Sequence, residues 1–396
     1  MSAPWLSIIG IGEDGLAGLS EEARMRLDGA EIIFGGPRHL ALAGAEERGQ
    51  PWPVPFSIAP LLACHSRPVV ALCSGDPFWH GAGSLLAEAL GQGEWTAFPA
   101  SSSFSLAVAR LGWRLEQVTC LGLHAAPFTR LRPHLTRGVR LICLLRGPDA
   151  APAFAAYLCA QGFGASRLWR LEALGGPHER IIQGTAEELA ALPPGAWPVA
   201  MAVEAAGPLG LPRTPGLPDE WFEHDGQITK RAIRALTLSV LAPRAGEHLW
   251  DVGTGSGSIA IEWLLAAPFS RASALEADPA RAARARRNAE NFGVEDRFTL
   301  HEQRAPDGLE KLPRPDAIFL GGGASEALLE RLWALAPTGT RLVANAVTLE
   351  SEALFTAWAA MKGGNLLRLE LAEAAPLGRL RGWVPARPIM QWSVTL

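Results

Sequence analysis

The chain has 396 residues, 48% of them apolar and 19% charged, and a formal charge of −4. That length allows about two to three domains, and the composition is ordinary for a globular enzyme. So small a net charge excludes a global field able to hold nucleic acid or an anionic membrane.

No stretch approaches the roughly 18 apolar residues of a membrane span. "PWLSIIGIG" turns to glycine too early for a signal peptide. The five cysteines, Cys64, Cys73, Cys120, Cys143 and Cys159, show no CxxC spacing and no zinc pattern. No metal is therefore expected, and the thiols read as reduced core residues of a cytoplasmic protein. Lys230, Lys311 and Lys362 are the only lysines. Genomic composition accounts for that bias, and arginine forks also suit a ligand carrying many carboxylates.

In chain order, the first half opens on an apolar strand in "WLSIIGIG" and a helix from Ser20 to Leu27. Strands follow in "AEIIFGG" and "RPVVALCSGDP", then helices in "GAGSLLAEALG" and "SSSFSLAVARLG". "QVTCLGLH" and "VRLICLLRG" predict strands, "APAFAAYLCAQG" a helix, "SRLWRLEAL" a strand, "AEELAAL" a helix and "WPVAMAVE" a strand. The alternation argues for an α/β class. The proline- and glycine-rich segment from Glu204 to Phe222 cannot sustain a helix or a central strand. It sets the domains at residues 1–208 and 209–396.

The second half starts with a helix from about Thr229 to Leu241. Strands in "EHLWDVG", "RASALEAD", "RFTLHEQ", "PDAIFLGGG" and "TRLVANAV" then alternate with helices in "SIAIEWLLAA", "PARAARARRNAENFG", "SEALLERLWALA" and "LESEALFTAWAAMKG". This is the βαβ rhythm of a doubly wound parallel sheet, whose ligands bind beyond the C-terminal strand ends.

Chemistry concentrates in "LWDVGTGSGSIAIEW". A strand ends at Asp251, and Gly253, Thr254, Gly255, Ser256 and Gly257 turn into a helix; a side chain at the glycines would push a nucleotide-like ligand off the backbone. Glu276 closes the next strand about twenty residues later, where an acid accepts hydrogen bonds from both ribose hydroxyls. No lysine follows the glycines, which excludes a P-loop. The candidates are NAD and S-adenosylmethionine, and GxGxG after Asp251 resembles motif I of class I methyltransferases more than a dinucleotide fingerprint. "GIGEDG" at Gly10–Gly15 matches GxGxxG, but the next strand carries its acid, Glu31, at the beginning, so NAD is not expected there. Taken singly, Asp76 reads as a turn former and Ser101, Ser102 and Ser103 as helix caps.

Taken together, "GIGEDG", "GGPRHL", "SGDP" and "SSSFSLAVARLG" resemble the tetrapyrrole methylase family, in its precorrin carbon-5 branch. "GLPDEWFEHDGQITKRAIRALTLSVL", "DVGTGSGSIAIE", "ALEADP", "PDAIFLGGG" and "LVANAVTLES" resemble the decarboxylating carbon-15 methyltransferases that act beside it. The resemblance implies a two-lobed class III methyltransferase domain followed by a Rossmann-like class I domain, with one S-adenosylmethionine site in each. It implies a tetrapyrrole substrate of cobalamin synthesis, methylated at C5 and C15 with loss of a carboxyl, and a homo-oligomer.

In the first domain it assigns Gly75, Asp76, Pro77, Ser101 and Ser102 to the donor, and Gly10, Gly12, Arg38 and His39 to the macrocycle. In the second it assigns Thr229 to the methionine end, Asp251 and Gly253–Gly257 to the loop, Glu276 to the ribose and Ala305 to the adenine. Gly321, Gly322 and Gly323 would leave space for the flat substrate. The chain departs from the family pattern at Glu13 and Asp14, in "LHAAP" from Leu123, at Arg304 and before Pro388. No catalytic acid or base follows from the motifs; His224, His301 and Asn345 are candidates to return a proton, each with a structural reading as well.

Overall fold

The computed structural model describes residues 4–45 and 47–396. The chain divides into two compact units, the first running to Phe128 and resuming over Leu135–Leu209, the second comprising Thr129–His134 and Gly210–Leu396.

The first unit holds two sheets. One is built from β1 (Leu6–Ile11), β2 (Ile32–Gly35), β3 (Gly49–Pro51), β4 (Val69–Ser74) and β5 (Trp95–Phe98), in the order β3-β2-β4-β1-β5. Every pairing in it is parallel. Helices cover both faces of such a sheet, so its strands read as continuous apolar runs. β1 and β2 are buried at every residue. The other sheet comprises β6 (Val118–Gly122), β7 (Arg140–Leu144), β8 (Arg167–Glu172), β9 (Arg180–Thr185) and β10 (Val199–Glu204), ordered β6-β7-β10-β8-β9. Here only β6 and β7 run parallel.

The second unit contains β11 (His248–Val252), β12 (Arg271–Leu275), β13 (Phe298–His301), β14 (Ala317–Leu320), β15 (Arg341–Ala346), β16 (Asn365–Leu369), β17 (Ala372–Leu377), β18 (Leu380–Pro385) and β19 (Ile389–Thr395). Seven of these form one sheet in the order β13-β12-β11-β14-β15-β19-β16, and β17 and β18 form a separate ribbon. β19 inserts antiparallel between β15 and β16. β11 lies between β12 and β14, so the chain leaves it in opposite directions and opens a crevice at its C-terminal end. Two apolar clusters fill the two faces, one around Leu249, Phe319 and Val343, the other around Trp250, Ile318 and Leu342.

Several elements had no sequence signal. "GGPRHL" lies partly in a helix, Pro37–Leu42, which starts with the proline whose missing N–H costs nothing at a first turn. At six residues it is too short to display helical periodicity. β9 has no buried residue and β16–β18 are mostly exposed, so neither face imposes an apolar alternation.

Candidate active sites

In the second unit the glycine loop follows β11 directly. Gly253, Gly255 and Gly257 all adopt positive φ, at 73°, 58° and 78°. A Cβ on Gly253 would lie 3.0 Å from the Gly322 carbonyl oxygen, so the loop and the glycines after β14 meet backbone to backbone. Gly321 N donates to Val252 O at 3.0 Å. Sheet register thus gathers what the sequence spreads over some seventy residues: the parallel β11–β14 pairing sets Val252 against Leu320, and the glycines follow on both strands.

Asp251 is fully buried. Its Oδ2 accepts from Thr254 Oγ1 at 2.6 Å and from Ala260 N at 3.2 Å, while Oδ1 is buried without a partner. Burial pushes its carboxyl up to about 7, against the pull of those two hydrogen bonds and with a further push from Glu276. Glu276 accepts from Gly255 N and Asp278 N, each at 2.9 Å. One amide per carboxylate oxygen leaves each with acceptor capacity for a hydroxyl. The arrangement fits a nucleoside with a cationic end: an orphaned carboxylate oxygen, a second acid closing β12 and a loop in which every second residue is a glycine.

The wall beside the loop is fixed by charges. Arg234 and Glu262 are buried and paired at 2.5 Å. Arg234 also bonds Asp219 at 3.0 Å and the carbonyls of Leu217 and Thr229. Glu262 accepts from Gly216 N and Leu217 N at 2.5 and 2.9 Å. A pair this deep is stable only because its remaining hydrogen-bonding capacity is used. The pair locks the backbone that presents Thr229. Asn288, also buried, donates to Glu223 O and Ser256 O and accepts from Glu223 N, tying the glycine loop to the segment before Thr229. The Asp225 carboxylate is held well below the usual range by Arg284 and Arg281. Sequence reading missed this frame. Its signal was a charged residue inside an apolar helical run, Glu262 in "SIAIEWLLA".

Other candidates divide. Ala305 packs against the apolar cluster on the Trp250 face. His224 Nδ1 accepts from Gly226 N at 3.0 Å, and His301 meets Glu276 through its carbonyl. Asn345 bonds the side chains of Thr237 and Gln391.

In the first unit, Gly10, Gly75 and the residues before Ser102 converge at the C-terminal edge of the parallel sheet. Gly75 N donates to Ile11 O at 3.1 Å and Ala100 N to Gly75 O at 3.2 Å. A Cβ on Gly10 would collide with Gly75 O and come within 2.7 Å of Ala100 N. One on Gly75 would come within 3.0 Å of Ser101 O. Gly12 faces the Asp14 carboxylate. Asp76 accepts from Phe78 N at 2.9 Å, a turn contact. Ser102 caps the helix Ser103–Leu111 by accepting from Ser105 N; Ser101 is exposed beside it.

Arg38 is paired with Glu13, contacts His39 Nε2 at 2.9 Å and stacks on Trp197 at 4.9 Å. Burial and Arg38 bring the His39 imidazole down to about 4, so it is neutral at physiological pH. Its Nδ1 is buried without a partner. Among the described residues no His, Cys, Asp or Glu cluster could hold a metal ion, and no helix is long and apolar enough to cross a membrane.

Comparison with known proteins matches residues 6–190 to the family of tetrapyrrole (corrin/porphyrin) methylases and residues 220–396 to a precorrin methyltransferase domain. A relative from Sinorhizobium sp., precorrin-6Y C(5,15)-methyltransferase [decarboxylating], is 47% identical over 99% of this chain and 97% of its own. A protein of the same name from Mycobacterium tuberculosis is 41% identical over 98% of this chain and 99% of its own. Among solved structures, the C-terminal domain of precorrin-6Y C5,15-methyltransferase from Rhodobacter capsulatus is 50% identical, covering 47% of this chain and 100% of that one with a TM-score of 0.46. Identity at this level along nearly the full length of both chains places the protein in the family of decarboxylating precorrin-6Y C5,15-methyltransferases.

Proposed function

We propose that the chain methylates precorrin-6B at C5 and C15 and removes the carboxyl of the C12 acetate arm, giving precorrin-8 in cobalamin synthesis. The first unit acts at C5, the second at C15 and in the decarboxylation, and each holds its own S-adenosylmethionine. The observation that carries this reading is a strand-end glycine site in each unit, within a chain whose two halves match the two partner families.

S-adenosylmethionine supplies a methyl group on a sulfonium centre. The residues of the second unit are assigned as follows: Gly253–Gly257 make room for the donor, Asp251 faces its cationic end, Glu276 takes the ribose, and Thr229 and Ala305 border its two ends. Gly321–Gly323 receive the flat ring. In the first unit Gly75, Asp76, Pro77, Ser101 and Ser102 border the donor, while Gly10, Gly12, Arg38 and His39 face the macrocycle. Methyl transfer to carbon requires the nucleophile close to the methyl and in line with the departing sulfur, so positioning and exclusion of water dominate. The reduced tetrapyrrole supplies the nucleophilic carbon, and its conjugated imines take up the electron pair released with carbon dioxide.

Titration with S-adenosylhomocysteine tests the site count: two equivalents are expected, and one would reduce a unit to a scaffold. Incubation with precorrin-6B and donor tests the reaction, two methyl groups gained and carbon dioxide lost being the expected product by mass. The reading includes a homo-oligomer. Leu377, Leu380 and Trp383 are 69%, 77% and 76% exposed on the β17–β18 ribbon, an apolar surface that a second copy would cover. Sedimentation at several concentrations decides it. The five free thiols support a reducing compartment, the cytoplasm.

A further inference from the structure

Glu276, Gly253, Gly321 and Asn345 lie in a row across the seven-stranded sheet, with Asp251 two residues before Gly253 on the same face. Side chains alternate along a strand, and the residues two positions before Glu276, Asp251, Gly321 and Asn345, namely Ala274, Leu249, Phe319 and Val343, all belong to one apolar cluster. Register continues the row: Leu320 pairs with both Val252 and Ala344, so Gly253, Gly321 and Asn345 come next, level on neighbouring strands. With strands about 4.8 Å apart, Asn345 stands on the order of 10 Å from Gly253, across a glycine with no side chain.

The Asn345 amide is oriented by two buried side chains. Its Nδ2 donates to Thr237 Oγ1 at 2.9 Å, and its Oδ1 accepts from Gln391 Nε2 at 3.0 Å. Gln391 Nε2 also donates to Thr237 Oγ1 at 3.1 Å, which closes the ring and fixes which end of each amide is which. Thr237 and Gln391 are 0% and 2% exposed, whereas Asn345 is partly exposed. Burying three neutral polar groups stabilises little by itself. A primary amide has two N–H donors, and the ring uses one of Asn345's.

We propose that the other N–H of Asn345 receives the acetate carboxylate that is lost in the decarboxylation, with Thr237 and Gln391 as positioning residues. This rests on the functional reading above and names the group that the second unit's site recognises. Decarboxylation discharges the carboxylate, so an arginine there would stabilise the ground state and lose its partner in the transition state. A neutral amide orients the arm without that penalty. The C–C bonding pair passes into the conjugated ring, carbon dioxide leaves, and solvent later supplies a proton to carbon; Asn345 neither gains nor loses one.

The test uses the full chain with precorrin-6B and donor, comparing Asn345→Ala and Asn345→Asp with the unsubstituted protein. Decarboxylation by Asn345→Ala should slow about 10- to 100-fold, the range of one hydrogen bond to a charged group. Affinity for S-adenosylhomocysteine in the second unit and methylation at C5 should hold within about twofold, near the scatter between independent sites. Asn345→Asp should be slower still at neutral pH and recover as pH falls and the new carboxyl is protonated, a profile that a packing role would not produce. Decarboxylation retained in Asn345→Ala, donor affinity lost with it, or the same pH profile in both variants would each overturn the proposal. If the unsubstituted protein transfers no methyl to precorrin-6B, the functional reading itself fails, a result distinct from any variant effect.

Discussion

At the C-terminal edge of the first parallel sheet, Gly10, Gly75 and the backbone of Ala100–Ser102 meet backbone to backbone. At the matching edge of the seven-stranded sheet, the glycine loop instead closes around two carboxylates, buried Asp251 and Glu276. The convergence of Gly10, Gly75 and Ala100 is specified by shape and by backbone donors and acceptors. The second site adds two acids, at the cost of burying one whose pKa rises to about 7. Similar strand-end positions can thus be reached by two means, and they should fail differently under substitution.

The largest effect is expected where shape alone is at stake. Gly10→Ala drives a Cβ into Gly75 O, and overpacking of this kind costs about 3 kcal/mol or more. Thermal denaturation should show the first unit weakened, and product mass should show methylation at C5 lost while C15 is still methylated. Retained C5 methylation would break the contrast between the two sites.

Next comes the acid that closes β12. Glu276→Gln keeps an acceptor for one loop amide but removes the charge, and donor affinity in the second unit should fall about 10- to 100-fold. Calorimetric titration with S-adenosylhomocysteine would then resolve one strong equivalent instead of two. Unchanged binding would mean that the ribose is read elsewhere.

A further effect lies in pH. Asp251 has an ordinary value of 3.8 and about 7 when folded, so between those values the folded state holds a proton that the unfolded state has lost. Stability of the second unit should therefore fall as pH rises from about 4 to about 7 and level off above that. Asp251→Asn should flatten that slope in denaturant titrations. A cationic donor favours the ionised form, so binding near pH 7 should release protons, read from the buffer dependence of the binding heat.

The smallest effect separates capping from ligand contact. Ser102→Ala removes the bond from Ser105 N and should cost about 1 kcal/mol of stability. If capping is the whole role of Ser102, donor affinity in the first unit stays constant. A drop in affinity would give it a second role at the site.

The sequence by itself determined the α/β class, the strand–loop–helix around Asp251 and the acid closing β12, because each is written in contiguous residues with a local physical requirement. It also carried the glycines at Gly10, Gly75 and Gly321, though not the reason for them. That reason is the close approach of backbones from different strands, which no single segment contains. Only the tertiary structure decided the antiparallel insertion of β19, since pairing partners are chosen by sheet register and not by local pattern. The same holds for the polar frame. Thr237, Asn345 and Gln391 lie 108 and 46 positions apart along the chain, and their side-chain bonds exist only once β15, β19 and the helix Arg231–Leu241 have packed together.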